Sequence, residues 1–181
     1  ALEKGSAVKI GTWHRLAPNT LPAMVKASAN YMNSQLLKME AVVEGYDEAI
    51  ALDVDGFVSE GSAANVFAVV RGELLTPQLA NSALAGITRA SVVTLAQELG
   101  YTVREQPLPR EMLYLAEELF FTGTAVEVSP ITSVDKIPVG TGKVGPVTRA
   151  LQQAYFAEVR GHVPDRHGWL TLVPPAGAAA G

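Results

Sequence analysis

A mixed α/β domain of the α+β kind is the fold class that this sequence predicts, and three observations predict it. Its 181 residues are 48% hydrophobic, enough for one domain with a real core and too few to demand two. Two glycine turns, Asp55-Gly56 and Arg71-Gly72, each sit between short apolar runs, the signature of hairpins. Between and beyond them lie stretches whose apolar residues recur at helical spacing. Hairpins mixed with helices favour a mixed sheet over a regular doubly wound one.

The elements follow in order. "AVKIGTWHR" (residues 7–15) reads as a strand, and "LAPNTLPA" as a turn-rich loop with two prolines. From Asn30 to Gly45, the positions Met32, Leu36, Leu37, Met39, Val42 and Val43 mark a helix that Gly45 stops. Residues 48–76, "EAIALDVDGFVSEG" and "ANVFAVVRGELLTP" with their two turns, read as one antiparallel meander. "ITRASVVTLAQELG" is an amphipathic helix closed by Gly100, and "YTVREQPL" a strand. "PREMLYLAEE" opens on Pro109, which suits a first helical position. "ELFFTGTAVEVSPITSVD" reads as two strands around a break at Gly123-Thr124, and "VGPVTRALQQAYFAEVRG" as a last helix. The tail, residues 171–181, is nearly all proline, glycine and alanine, with little to bury, and is expected to be disordered.

Composition excludes several functions. The net charge is −4, with no strongly basic stretch to hold nucleic acid. The absence of cysteine removes disulfides and thiolate metal sites, and it fits a reducing, cytoplasmic setting. No apolar run reaches the roughly 20 residues of a membrane span. His14, His162 and His167 lack metal-ligand spacing, so no metal site is expected. "GTGKVG" (residues 140–145) lacks the spacing of a phosphate-binding P-loop and reads as a turn.

Four features could carry chemistry. Lys26 follows an apolar stretch and precedes Tyr31 at the start of a helix. Glu60 sits in "SEGSAAN", where glycine and small residues let a ligand approach the backbone. Gly86, Ile87 and Thr88 in "LAGITRA" open a helix whose first N–H groups could hold an anion. Thr122, Gly123 and Thr124 could form a second cradle. Each has a plainer reading: a solvated lysine, a turn glutamate, a helix-capping threonine, a bulge in a strand. Together they supply an amine, a carboxylate and two anion cradles, the parts a pyridoxal phosphate site needs.

In "APNTLPAMVKASANYMNSQLLKMEA", "GYDEAIALDVDGFVSEGSAANVFAV", "LAGITRASVV", "VREQPL" and "FFTGTAVEVSPITSVD", the chain resembles the class IV, fold type IV, pyridoxal-phosphate aminotransferases. Within that class it is most similar to the bacterial branched-chain amino acid aminotransferases, from about Trp13 to Trp169. The resemblance implies a pseudo-barrel of mixed strands flanked by helices. It makes Lys26 the catalytic, cofactor-linking lysine, Tyr31 the hydroxyl near the cofactor's 3′-oxygen, and Glu60 the partner of the pyridine nitrogen. Leu84 would lie against the ring, Ile87 and Thr88 form the phosphate turn, and Thr124 add a phosphate contact. Thr124-Ala125 would also meet the substrate carboxylate, and Asn65 would support Glu60.

The implied reaction is transamination of leucine, isoleucine and valine with 2-oxoglutarate by a homodimer. A D-amino-acid aminotransferase, a 4-amino-4-deoxychorismate lyase, or a cofactor-binding domain without catalysis stay open beside it. The family's small N-terminal domain, with a phosphate-binding arginine, has no counterpart in these residues. The expectation is therefore a large cofactor domain at residues 13–170, preceded by a linker remnant and first strand at 1–12. Such a fragment is expected to lack full activity.

Overall fold

The fold was established from a computed structural model that describes residues 2–171 and 173. The disorder expected of the tail concerns residues that lie almost wholly outside the described ones.

Among the described residues, nine strands form one mixed sheet. They are β1 (Ser6–Ile10), β2 (Glu48–Leu52), β3 (Val58–Gly61), β4 (Asn65–Val70), β5 (Glu73–Thr76), β6 (Val103–Glu105), β7 (Glu118–Gly123), β8 (Glu127–Val134) and β9 (Ile137–Pro138). Four α-helices accompany them: α1 (Tyr31–Val43), α2 (Ile87–Glu98), α3 (Met112–Leu115) and α4 (Pro146–Val159). The strand order is β3-β2-β1-β8-β7-β4-β5-β6, with β9 on β8. β1 runs parallel to both its neighbours, and β5 parallel to β6; the other pairs are antiparallel. No helix among the described residues is long and apolar enough to cross a membrane.

Connectivity forces this sheet to curl. β3 and β4 stand five strands apart in the order, yet only residues 62–64 separate them in the chain. In a flat sheet five strand spacings come to about 24 Å. Four residue steps reach at most about 14 Å. The sheet must therefore bend until its β3 edge comes round to β4, a curled half-barrel that agrees with the pseudo-barrel of mixed strands that the family resemblance implied. A bond from the Gly61 N–H to the Ala64 carbonyl, 2.7 Å, tightens the closing turn.

Alternation along the strands fills both faces. Val66, Ala68, Leu119 and Phe121 join Val8, Ile10, Ile50 and Ile131 in one cluster. Phe67, Val69 and Phe120 point the other way and meet Val92 and Ala96 of α2 and Leu151 of α4. There the rings of Phe67 and Phe120 stack 5.1 Å apart. At the far end Leu37 and Ala41 of α1 cover Ala49 and Ala51 of β2.

Three sequence expectations need correction. The meander over 48–76 is two separate hairpins, because β4 pairs with β5 and β7 and not with β3. β4 is buried along almost its whole length, so it takes an inner seat, and a short apolar run does not announce its partners. The Arg71-Gly72 turn does stand where expected, with φ of 52° and 75°, the positive values a two-residue hairpin loop requires. The strand expected over 7–15 stops at Ile10. The Gly11 N–H still donates to the Ile50 carbonyl at 2.9 Å, and a Cβ there would come 2.5 Å from Leu37 of α1, so the close approach of the helix requires glycine. The helix expected from Pro109 is only the four residues of α3; Pro109 bridges Phe57 instead.

Candidate active site

The closing of the curl sets Glu60 of β3 beside Asn65 of β4, and this is where the site forms. Asn65 Nδ2 donates to Glu60 Oε2 at 3.1 Å and to the Leu84 carbonyl at 2.9 Å. The Leu84 N–H donates to the same Glu60 oxygen at 3.0 Å. Glu60 Oε1 accepts from Arg15 Nη2 at 2.7 Å, an ion pair with both side chains nearly buried. Burial pushes the Glu60 carboxyl above the ordinary range; Arg15, the Leu84 N–H and Lys26 pull it back down.

Lys26 reaches the site from the loop between β1 and α1. Asn30, buried at the loop's end, donates to the carbonyls of Pro22 and Val25 at 3.0 and 2.9 Å, which fixes the residues just before the lysine. Ser82 Oγ ties the same loop, through the Leu16 carbonyl at 2.8 Å, to the segment leading into α2. Among the described residues no carboxylate lies within ion-pair distance of Lys26 Nζ, which stands 5.8 Å from the centre of the Tyr31 ring. Tyr31 opens α1.

The anion cradle is the start of α2. Gly86 holds its N-cap position and no side chain caps it, so the first amides lack partners within the helix. Thr88 lies inside the helix, not at its cap. Gly86 has a steric reason to be glycine: a Cβ there would sit 2.1 Å from Asn65 Oδ1. Across the cavity, β7 ends at Gly123, and Thr124 and Ala125 begin the turn to β8. Thr122 Oγ1 is buried with no hydrogen-bond partner, and Thr122 lines the same cavity.

All eight residues singled out from the sequence for cofactor or substrate (Lys26, Tyr31, Glu60, Leu84, Ile87, Thr88, Thr124 and Ala125) line one cavity of about 530 Å³. Asn65 and Thr122 line it with them. Two further residues were not anticipated. Arg15 stands 45 positions from Glu60, and no local pattern marks it. Asn30 sits in the anticipated helix start, where it read as one more small or amide residue. The arrangement offers a free amine, a buried carboxylate, a helix N-terminus and threonine hydroxyls around one space, which fits a phosphorylated pyridine cofactor.

The family model for the class IV amino-transferases matches residues 2–134. The chain belongs to the class IV aminotransferases. Among relatives of this class IV chain, the branched-chain-amino-acid aminotransferase of Escherichia coli K12 is 51% identical over 173 residues, 96% of this chain and 56% of that protein. The Pseudomonas aeruginosa enzyme of the same name is 42% identical over 173 residues, 96% of this chain and 56% of its own. The class IV chain thus spans a little over half the length of these relatives. In structure, the E. coli branched-chain aminotransferase superposes with a TM-score of 0.91 at 50% identity, covering 93% of this chain and 57% of that one. The branched-chain aminotransferase of Thermobaculum terrenum, solved in its PLP-form, also reaches 0.91, at 40% identity over 93% of this chain and 55% of its own.

Proposed function

We propose that this chain is the cofactor domain of a pyridoxal-phosphate-dependent branched-chain aminotransferase. The reading rests above all on one observation: the unpaired amine of Lys26 and the buried carboxylate of Glu60 face one cavity, with a helix N-terminus at its side. The 51% identity to an enzyme of that name supports it. Pyridoxal phosphate, when bound, supplies an aldehyde carbon that links to amines and a ring that draws electrons from the linked substrate. Ile87, Thr88 and Thr124 would hold its phosphate, Leu84 its ring face, Glu60 its ring nitrogen and Tyr31 its 3′-oxygen. Lys26 would anchor it and, once freed, would carry a proton between the substrate's α-carbon and the cofactor's former aldehyde carbon. Thr124 and Ala125 would receive the substrate carboxylate.

The substrate pair we propose is leucine, isoleucine or valine with 2-oxoglutarate. The whole protein should turn over leucine and 2-oxoglutarate, and D-alanine poorly. The reverse preference would place it with the D-amino-acid enzymes. Residues 1–181 alone should give no more than trace activity. The reason is visible at the cradle: Arg15 and Lys26 are the only lysine or arginine residues lining the cavity among the described residues, and Arg15 is committed to Glu60. A phosphate without an arginine loses a charge-assisted hydrogen bond of about 1.5–3 kcal/mol. Fragment turning over leucine at the whole protein's rate would show the substrate site to be misplaced.

We also propose a homodimer, built on α1. Ser34, Leu37 and Ala41 of that helix face inward. Met32, Leu36, Met39 and Val43 form a stripe on the other side, 74, 40, 56 and 83% exposed. Four large apolar residues in one stripe mark a surface with a partner. The stripe starts next to Tyr31, so a second copy seated on it would border the cavity. Sedimentation of the whole protein should show a dimer, and Met39→Glu should shift it to monomer. A dimer unaffected by Met39→Glu and Leu36→Glu together would move the interface elsewhere.

A further inference from the structure

We propose that Arg15 is a positioning residue that decides where the proton between Glu60 and its ring partner resides, holding it on the ring nitrogen. The inference rests on the functional reading above and adds a residue to it.

The geometry of Arg15 is specific. Its Nη2 donates to Glu60 Oε1, while the two neutral donors, Asn65 and the Leu84 N–H, both go to Oε2. One carboxylate oxygen is thus given to a full positive charge. Nη1 donates to Asn33 Oδ1 at 3.1 Å and to Ser34 Oγ at 3.2 Å, which fastens the guanidinium to α1. The Arg15 backbone N–H is fixed to the Leu52 carbonyl of β2 at 2.8 Å. Ser34 is one turn beyond Tyr31, so the arginine links the helix that presents Tyr31 to the strand that presents Glu60.

The physical consequence concerns tautomers. A carboxylate facing a pyridine nitrogen shares one proton with it. The proton can stay on nitrogen, leaving two charges, or pass to the carboxyl, leaving none. In a buried site the neutral arrangement gains, because desolvation penalises both charges. Arg15 opposes that balance by stabilising the carboxylate form. It does not raise the site's overall affinity for protons, since a positive neighbour opposes protonation; it chooses which partner holds the one proton. The other charged or titratable groups at the cavity are Lys26, on the same β1–α1 loop as Arg15, and Tyr31, at the start of α1. Neither hydrogen-bonds Glu60.

The test uses the whole protein loaded with pyridoxal phosphate carrying nitrogen-15 in its ring. The nitrogen chemical shift at pH 7 reports directly whether that atom is protonated. Wild type should give the protonated signal. Arg15→Met and Arg15→Gln should move it toward the unprotonated position, and Arg15→Lys, which keeps the charge but not the fork, should return it most of the way. A purely structural arginine would not be rescued by lysine, since the bonds to Asn33 and Ser34 need the guanidinium. A protonated signal in folded, cofactor-loaded Arg15→Met or Arg15→Gln overturns the proposal. Should both neutral variants fail to fold, an unprotonated signal in wild type overturns it equally, and a protonated one with Arg15→Lys close to it supports it. Wild type that takes up no cofactor, seen as no visible absorbance, overturns the functional reading itself and this inference with it.

Discussion

Lys26→Ala should lower kcat/KM for leucine in the whole protein by at least about a thousandfold. General acid–base catalysis alone is worth about 10²–10⁴, and Lys26 is proposed also as the covalent anchor. Among the described residues no other lysine lines the cavity. Lys9 is held between Glu40 and Glu44, at 2.5 and 2.7 Å, and Lys38 pairs with Glu48 at 3.2 Å. The side chain of Lys26 is exposed and unpaired, so its removal should leave the melting temperature nearly unchanged. Activity within tenfold of wild type would reject the role.

The second large effect is expected at Glu60. Glu60→Gln keeps the shape and can still accept from Arg15 or from the Leu84 N–H, but it carries no charge. A neutral amide cannot hold a proton on the ring nitrogen. Losing one charge-assisted hydrogen bond, about 1.5–3 kcal/mol, corresponds to about ten- to a hundredfold in rate. Turnover should therefore fall by about that factor while much of the cofactor binding remains. The buried Arg15 guanidinium also loses its counterion, so some loss of stability should accompany it. Unchanged turnover in folded Glu60→Gln would contradict the assignment.

The parts of this molecule that the sequence made legible are the locally encoded ones. α1, α2 and α4 announce themselves by spacing, and Gly45 and Gly100 end their patterns. Arg71-Gly72 announces its hairpin because a two-residue loop needs positive φ. What could not be read is partnership. β4 looks like the next strand of a meander, and only the three-dimensional closure shows that it leaves β3 for β7. The site has the same division. Lys26, Glu60 and the start of α2 carry recognisable residue types in recognisable settings, and the class IV resemblance assigned their roles. Arg15 does not, because its meaning lies in a contact 45 residues away, made where its loop lies along β2 and β2 pairs with β3. Pro109 shows the opposite error: a residue that fits a helix start was used in a bridge to Phe57.

The central claim is that the Lys26 amine is the group to which the cofactor attaches. The whole protein, mixed with pyridoxal phosphate, should show a visible absorbance band that borohydride removes as it fixes the cofactor to one lysine. Peptide mapping should then find the pyridoxyl label on Lys26, in the segment MVKASANYMNSQ. A label on Lys9, Lys38 or another lysine, with Lys26 unmodified, would contradict the account.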